Sequence, residues 1–195
     1  TVCRFPLLIA FVMIAGSSAI AFERGDVTAY PIPKGMEPSP DYQVIAGDKP
    51  IFVHKTPAFS MATFATTGEI DVEVRVQRPI TRPVIRPLAR GIRPVAGRGS
   101  LRFRVPGPCQ LAVEVDEDLR RPLFLFANAP ESDAPRKGGS RVRYFEGGRI
   151  HEPGRIDLRD NETVYLAGGA VVRAVIRSKN VSGATILGPG ILDGS

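Results

Sequence analysis

Thr163-Val164-Tyr165-Leu166-Ala167-Gly168-Gly169-Ala170-Val171-Val172-Arg173-Ala174-Val175-Ile176 runs into Arg177-Ser178-Lys179-Asn180. A second run follows, Ala184-Thr185-Ile186-Leu187-Gly188-Pro189-Gly190-Ile191-Leu192-Asp193-Gly194. Short apolar runs, broken by Gly or Asn, predict short strands with turns at each break. Val164-Tyr165 aligns with Ile186-Leu187, and Gly168 with Gly190, a weak repeat of 22 residues. This pattern suggests a solenoid of β coils, each stacking its apolar residues on the next. Asn180 then belongs at a corner, where Asn tolerates a left-handed backbone. Arg155-Ile156-Asp157-Leu158 is a short strand ahead of it, and Asp160-Asn161-Glu162 is a turn. Periodicity alone leaves two architectures open, a β-helix or additional sandwich strands.

Upstream the pattern is different. Residues 130–139 are polar and rich in Pro and Gly, a linker. Before them Glu69 to Val76 alternates strictly: Ile70, Val72, Val74 and Val76 share one face, and Glu69, Asp71, Glu73 and Arg75 the other. Leu101, Phe103 and Val105 alternate in the same way, as do Leu111, Val113 and Val115. Leu123-Phe124-Leu125-Phe126 is continuous, a strand expected to be buried on both faces. Tyr42–Ala46 and Ile51–His54 flank Gly47-Asp48-Lys49-Pro50 as a hairpin. Several half-buried strands and no amphipathic helix predict an antiparallel β-sandwich.

Composition supports an all-β chain. Of 195 residues, 20 are Gly and 18 are Pro, which excludes a helical bundle. Net charge is +6, and Arg is concentrated at Arg75, Arg78, Arg82, Arg86, Arg90, Arg93, Arg98, Arg102 and Arg104. Four of these precede Pro, so the segment is no DNA-reading helix but an edge strand or polyproline-like ribbon. Edge protection by Arg and Pro is the favoured reading, with a strip attracting an acidic polysaccharide as the functional one. Nucleic acid is not expected, because interleaved aromatics for base stacking are lacking. Asp116-Glu117-Asp118 lacks the spaced oxygens of a calcium loop and reads as a solvated turn. Cysteine is limited to Cys3 and Cys109, and histidine to His54 and His151. No metal and no cofactor are expected.

Arg4, the apolar run Phe5–Ala15 and the small-residue close Gly16–Ala21 have the layout of a secretory signal peptide. The run is too short for a stable membrane span. Cleavage after Ala21 leaves Cys109 as a buried small hydrophobe. The expected organisation is a signal peptide at 1–21, a β-sandwich at 22–129, a linker and lead-in segment at 130–154, and the start of a parallel β-helix at 155–195. The expected location is secreted or periplasmic.

Three stretches together resemble a known family. They are Tyr144-Phe145-Glu146-Gly147-Gly148-Arg149-Ile150-His151-Glu152-Pro153-Gly154, then Thr163 to Val172, then Ile186-Leu187-Gly188-Pro189-Gly190-Ile191-Leu192-Asp193-Gly194. They look like the first coils of the right-handed parallel β-helix of polygalacturonase-like enzymes, glycoside hydrolase family 28 and its pectin-lyase-fold relatives. Pro122 to Asn128 resembles the end of the β-sandwich that precedes the helix in some bacterial members and in the dextranase family. The resemblance covers residues 40–195. It implies inverting hydrolysis of a polysaccharide: one carboxylic acid protonates the leaving oxygen, and a carboxylate about 6.5–9.5 Å away activates water.

In that family the carboxylates stand in Asn-x-Asp and Asp-Asp motifs, and a Gly-His-Gly and an Arg-x-Lys complete the subsite. The first three do not occur here, and no Arg-x-Lys is read here either. Asp193 falls in the family's Asp-Gly turn, a structural position. His151-Glu152 is a poor acid–base pair, because neighbours in an extended segment point to opposite faces, and it reads as a structural turn. Arg159-Asp160-Asn161-Glu162 reads as a coil corner. No catalytic, cofactor or metal residue is assigned, and the catalytic part is expected on coils beyond this chain. The alternatives are a polysaccharide lyase on the same fold, or a non-catalytic module that binds carbohydrate or packs on an enzyme. The absence of Trp disfavours a stacking-based sugar binder.

Overall fold

The computed structural model of the chain describes residues 24–116, 118 and 120–194. The signal peptide read at 1–21, Cys3 and Glu117 lie outside the described residues. Strands of the first part are β1 (Val27–Ala29), β2 (Gln43–Ala46), β3 (Lys49–Ile51), β4 (Val53–Lys55) and β5 (Ser60–Thr66). They continue with β6 (Ile70–Arg75), β7 (Pro83–Arg86), β8 (Val95–Ala96), β9 (Ser100–Val105), β10 (Cys109–Val115) and β11 (Leu123–Asn128). One sheet runs β1-β5-β11-β10-β7, with β4 also on β5; the other runs β3-β2-β6-β9-β8.

The alternation in β6 does what period two requires. Ile70, Val72 and Val74 are buried, while Asp71 and Arg75 face water. From the facing sheet come Ala62, Phe64, Leu111, Val113, Leu123 and Leu125, and all join one apolar core. Cys109 belongs to that core, and burial pushes its thiol pKa up, as befits a small hydrophobe.

Within these two sheets pairing is antiparallel except between β11 and β5, which run parallel. These two strands are far apart in sequence, so no hairpin dictates their direction. The early hairpin is tighter than the sequence suggests: Ala46 pairs with Lys49, so only Gly47 and Asp48 turn, with Gly47 at φ +60°. Phe124 and Phe126 are not buried on both sides as expected. They are half-buried on the outer face, where only Leu123 and Leu125 point inward. The Arg/Pro segment does supply edge strands, since β7 and β8 each end a sheet.

Past the linker the chain winds into three rungs. The first is β12 (Val142–Phe145) with β13 (Arg149–Asp157), and the second β14 (Thr163–Leu166) with β15 (Ala170–Arg177). The third is β16 (Thr185–Leu187) with β17 (Ile191–Asp193). All pairing between rungs is parallel, giving sheets β12-β14-β16 and β13-β15-β17. This is the expected parallel β-helix. Its first rung starts at Val142, inside the stretch read as linker and lead-in.

Val164 pairs with Ile186 and Tyr165 with Leu187, as the repeat predicts. The alignment of Gly168 with Gly190 is not kept. Val171 pairs with Ile191, so the third corner is shorter and Gly190 falls beside Ala170. Corners repeat instead in backbone conformation. Gly148 and Gly169 have φ +74° and +78°, and Asn161 and Asn180 have φ +55° and +53°. Phe145, Ile156, Val164, Leu166, Ala170, Val172 and Ala174 fill the solenoid interior.

The linker is fastened to the second rung. Tyr165 points away from the solenoid interior yet is only 3% exposed, and its hydroxyl donates to Glu131 Oε2 at 2.7 Å. Burial and this carboxylate push the Tyr165 pKa strongly upward. Tyr165→Phe is expected to lower unfolding free energy by about 1 kcal/mol, the worth of one such bond to a partly exposed partner. Urea unfolding checks this; an unchanged midpoint would mean that the linker is not held there.

Candidate functional site

Two places gather polar chemistry: the outer face of β13-β15-β17, and the seam where the sandwich meets the coils. The first begins with an irregularity. His151 pairs with Val172 and Gly154 with Ala174, so Glu152 and Pro153 together face the single residue Arg173. That is a β-bulge, and it houses a Pro that cannot donate to a ladder. The structural turn read at His151-Glu152 is thus a bulge within a strand. His151 is held by an edge contact with Phe145 and by its Nε2 at 2.9 Å from the Glu146 carbonyl.

The bulge sets Glu152 beside Arg173, with Nη1 to Oε1 at 2.7 Å. Arg173 Nε lies 3.6 Å from Asp193 Oδ2 on the next rung. One guanidinium therefore ties three coils. Sequence reasoning missed this ladder, although its signal was present: Glu152, Arg173 and Asp193 recur 21 and 20 residues apart (173 − 152 and 193 − 173).

At the seam, Tyr30, Pro31 and Pro33 from the lead segment meet Gly169 and Val171 of the second rung and Pro189 and Ile191 of the third. Phe52, His54, Met61 and Thr63 close the other side. Lys34 N–H donates to the Gly148 carbonyl at 3.0 Å. His54 Nδ1 lies 3.1 Å from Met36 Sδ. Burial lowers the His54 pKa; Asp193 raises it and Arg173 lowers it.

The sign follows from linkage. A base with a lowered folded pKa takes up its proton first in the unfolded chain as pH falls below about 6.5. Stability attributable to His54 is therefore present at neutral pH and lost as the pH drops toward 5. His54→Gln should flatten that part of the profile. Urea midpoints at pH 7 and pH 5 measure it, and equal slopes in both proteins would refute the assignment.

Glu152 and Asp193 both pair with the same guanidinium. Among the described residues, each carboxylate with a displaced pKa is displaced downward. Hydrogen bonds from Arg75 lower Glu73, backbone N–H groups of Arg82 and Thr81 lower Asp116, and Lys137 lowers Glu146. For Asp118, burial acts upward but is outweighed by the Arg120 N–H and the Arg121 guanidinium. No cluster of three or more metal-ligating side chains occurs among the described residues.

The remaining motifs are structural. Asp116 Oδ1 accepts from Thr81 N, Thr81 Oγ1 and Arg82 N at 2.7–2.9 Å, pinning the Arg/Pro ribbon to the β10 end. Asp118 pairs with Arg121 at 3.1 Å and Arg78 at 3.5 Å. Glu162 of the coil corner is buried, pairs with Arg143 at 2.9 Å and accepts from Arg159 N. In the basic ribbon Arg75 and Arg102 share Glu73, Arg86 binds Glu114, and Arg104 binds Asp71 and Glu69. These pairs are made within the sandwich. An Arg-x-Lys triplet, Arg177-Ser178-Lys179, escapes the motif reading; it ends β15 and no acidic pair stands with it. No helix among the described residues is long and apolar enough to cross a membrane.

Neither a protein-family model nor a curated protein matches this sequence. Among solved structures, Dex49A from Penicillium minioluteum is similar, with a TM-score of 0.62 at 17% identity over 86% of this chain. That protein is a dextranase of glycoside hydrolase family 49 with a β-helix fold. The chain spans about half of its length, 48%. The similarity supports a glycoside hydrolase-like β-helix fold and does not single out family 28.

Proposed function

We propose that this chain is the N-terminal part of a secreted glycoside hydrolase that cleaves a polysaccharide by inverting acid/base hydrolysis. The sandwich and first coils position a catalytic face carried by further coils. One observation carries the reading. Ile186 and Leu192 pair in register with Val164 and Val172, two interior residues, yet they remain 47% and 44% exposed. The third rung thus offers an apolar stacking surface of the kind another coil covers. The shared architecture with a hydrolase supports the reading.

A pectin-like, polygalacturonan substrate is the finer proposal, drawn from the sequence resemblance. Export through residues 1–21 belongs to the same proposal, and a mature protein beginning at Phe22 is its expected sign. The test is to express the chain with and without the coding sequence that follows it, and to assay reducing-end release on polygalacturonan and dextran. Activity with inverted anomeric configuration is expected from the longer product and none from residues 22–195. Unsaturated, Ca²⁺-dependent products would show a lyase instead, and sugar release by the short chain would refute the assignment of catalysis to later coils.

A further inference from the structure

The outer face of the sheet β1-β5-β11-β10-β7 has two halves. On one, Met61 and Thr63 are covered at the seam by the coils. On the other the same face continues: Phe124 pairs with Met61 and Ala112, and Phe126 with Thr63 and Gln110. Phe124, Phe126, Ala112, Pro87 and Leu88 line an open cleft of about 780 Å³. Leu88 is 66% exposed, and Phe59 braces Phe124 edge-on at 5.3 Å. An apolar shelf is thus continuous with an interface that the molecule already makes.

The direction of growth matches. The first rung meets Pro31 and Lys34 through Gly148, the second meets Tyr30 and Pro31, and the third brings Pro189 and Ile191 to the seam lined by Phe52, His54 and Met61. Stacked coils and hydrogen-bonded strands both advance about 4.8 Å per step. Beyond β5, the strands reached by further steps are β11, β10 and β7. Val171 and Ile191 pair in register and line the seam, so the coil surface presented to the sandwich is apolar.

We propose that the Phe124–Phe126–Leu88 shelf is the bed on which the coils after the third rung lie. The occupant is the outward face of parallel β rungs carrying apolar residues in register with Val171 and Ile191. The inference rests on the functional reading above, because it requires those coils. A stacked sugar ring is the less fitting occupant, since the shelf has Phe but no Trp, the best stacking platform.

The test is thiol labelling of Leu88→Cys in a Cys3→Ser background, where Cys109 is buried. A maleimide is applied to the 195-residue chain and to the longer product of the same reading frame. Many-fold slower labelling in the longer product is expected, and Leu88→Asp should lower the melting temperature of the longer product but not of the short chain. Equal labelling in a longer product that hydrolyses polysaccharide would overturn the shelf assignment and leave the functional reading standing. A reading frame without further coils would overturn both. Protection that appears only on adding oligosaccharide would replace the coils by a sugar and so overturn the proposal.

Discussion

Gly169→Ala should destabilise the chain by about 3 kcal/mol or more, combining backbone strain with overpacking. A methyl group there would stand 2.1 Å from the Pro31 carbonyl oxygen, on a backbone at φ +78°. Neither partner can give way cheaply, because Pro31 is clamped between the coil corner and the seam. Gly154→Ala is the matched comparison. Its φ is +68° and a methyl there meets nothing within 4 Å, so only the left-handed strain of about 1–2 kcal/mol applies. The difference between the two isolates the contact of the lead segment with the second rung. Urea denaturation of both variants measures it, and equal losses would mean that Pro31 does not lie on the coil.

Phe64→Ala should cost about 3–5 kcal/mol, the range for emptying a fully buried aromatic site. Phe64 lies on β5 at 0% exposure, between the two sheets of the sandwich. Its neighbours come from both sheets and cannot all collapse into the void. Phe126→Ala, on the outer face of the next strand, should cost the 195-residue chain far less. Thermal unfolding of the pair decides the matter; similar losses would contradict the assignment of inner and outer faces on β5 and β11.

These faces also mark where the sequence is legible. Ile70, Val72 and Val74 alternate with charges because one side of β6 faces water, so period two identifies strand and face together. The Leu123–Phe126 run has no such contrast. Its outer phenylalanines are apolar for the sake of a neighbouring surface, and the pattern misled by suggesting burial on both sides. In the solenoid, Val164 and Ile186 share one interior column, so their repeat is visible. The Gly168–Gly190 match fails because the third corner is shorter, and a corner can lose residues without disturbing the stacked columns.

The seam left no pattern to find. Tyr30 and Gly169, or His54 and Ile191, are brought together only by the tertiary fold, and each is an ordinary residue in its own segment. The Glu152–Arg173–Asp193 ladder is intermediate. Its members lie 21 and 20 residues apart (173 − 152 and 193 − 173), so the 22-residue repeat of Val164 and Ile186 does not align them.

Parallel stacking of the rungs is tested most directly by engineered cross-linking. Thr163 pairs with Thr185 in the structure. Adjacent strands lie about 4.8 Å apart, a Cα separation that a disulfide spans. The double variant Thr163→Cys/Thr185→Cys should therefore cross-link rapidly under mild oxidation, while Thr163→Cys/Leu187→Cys should not. An antiparallel hairpin of the two segments, folded back into sandwich strands, would reverse that result, with Thr163→Cys/Leu187→Cys joined and Thr163→Cys/Thr185→Cys left reduced.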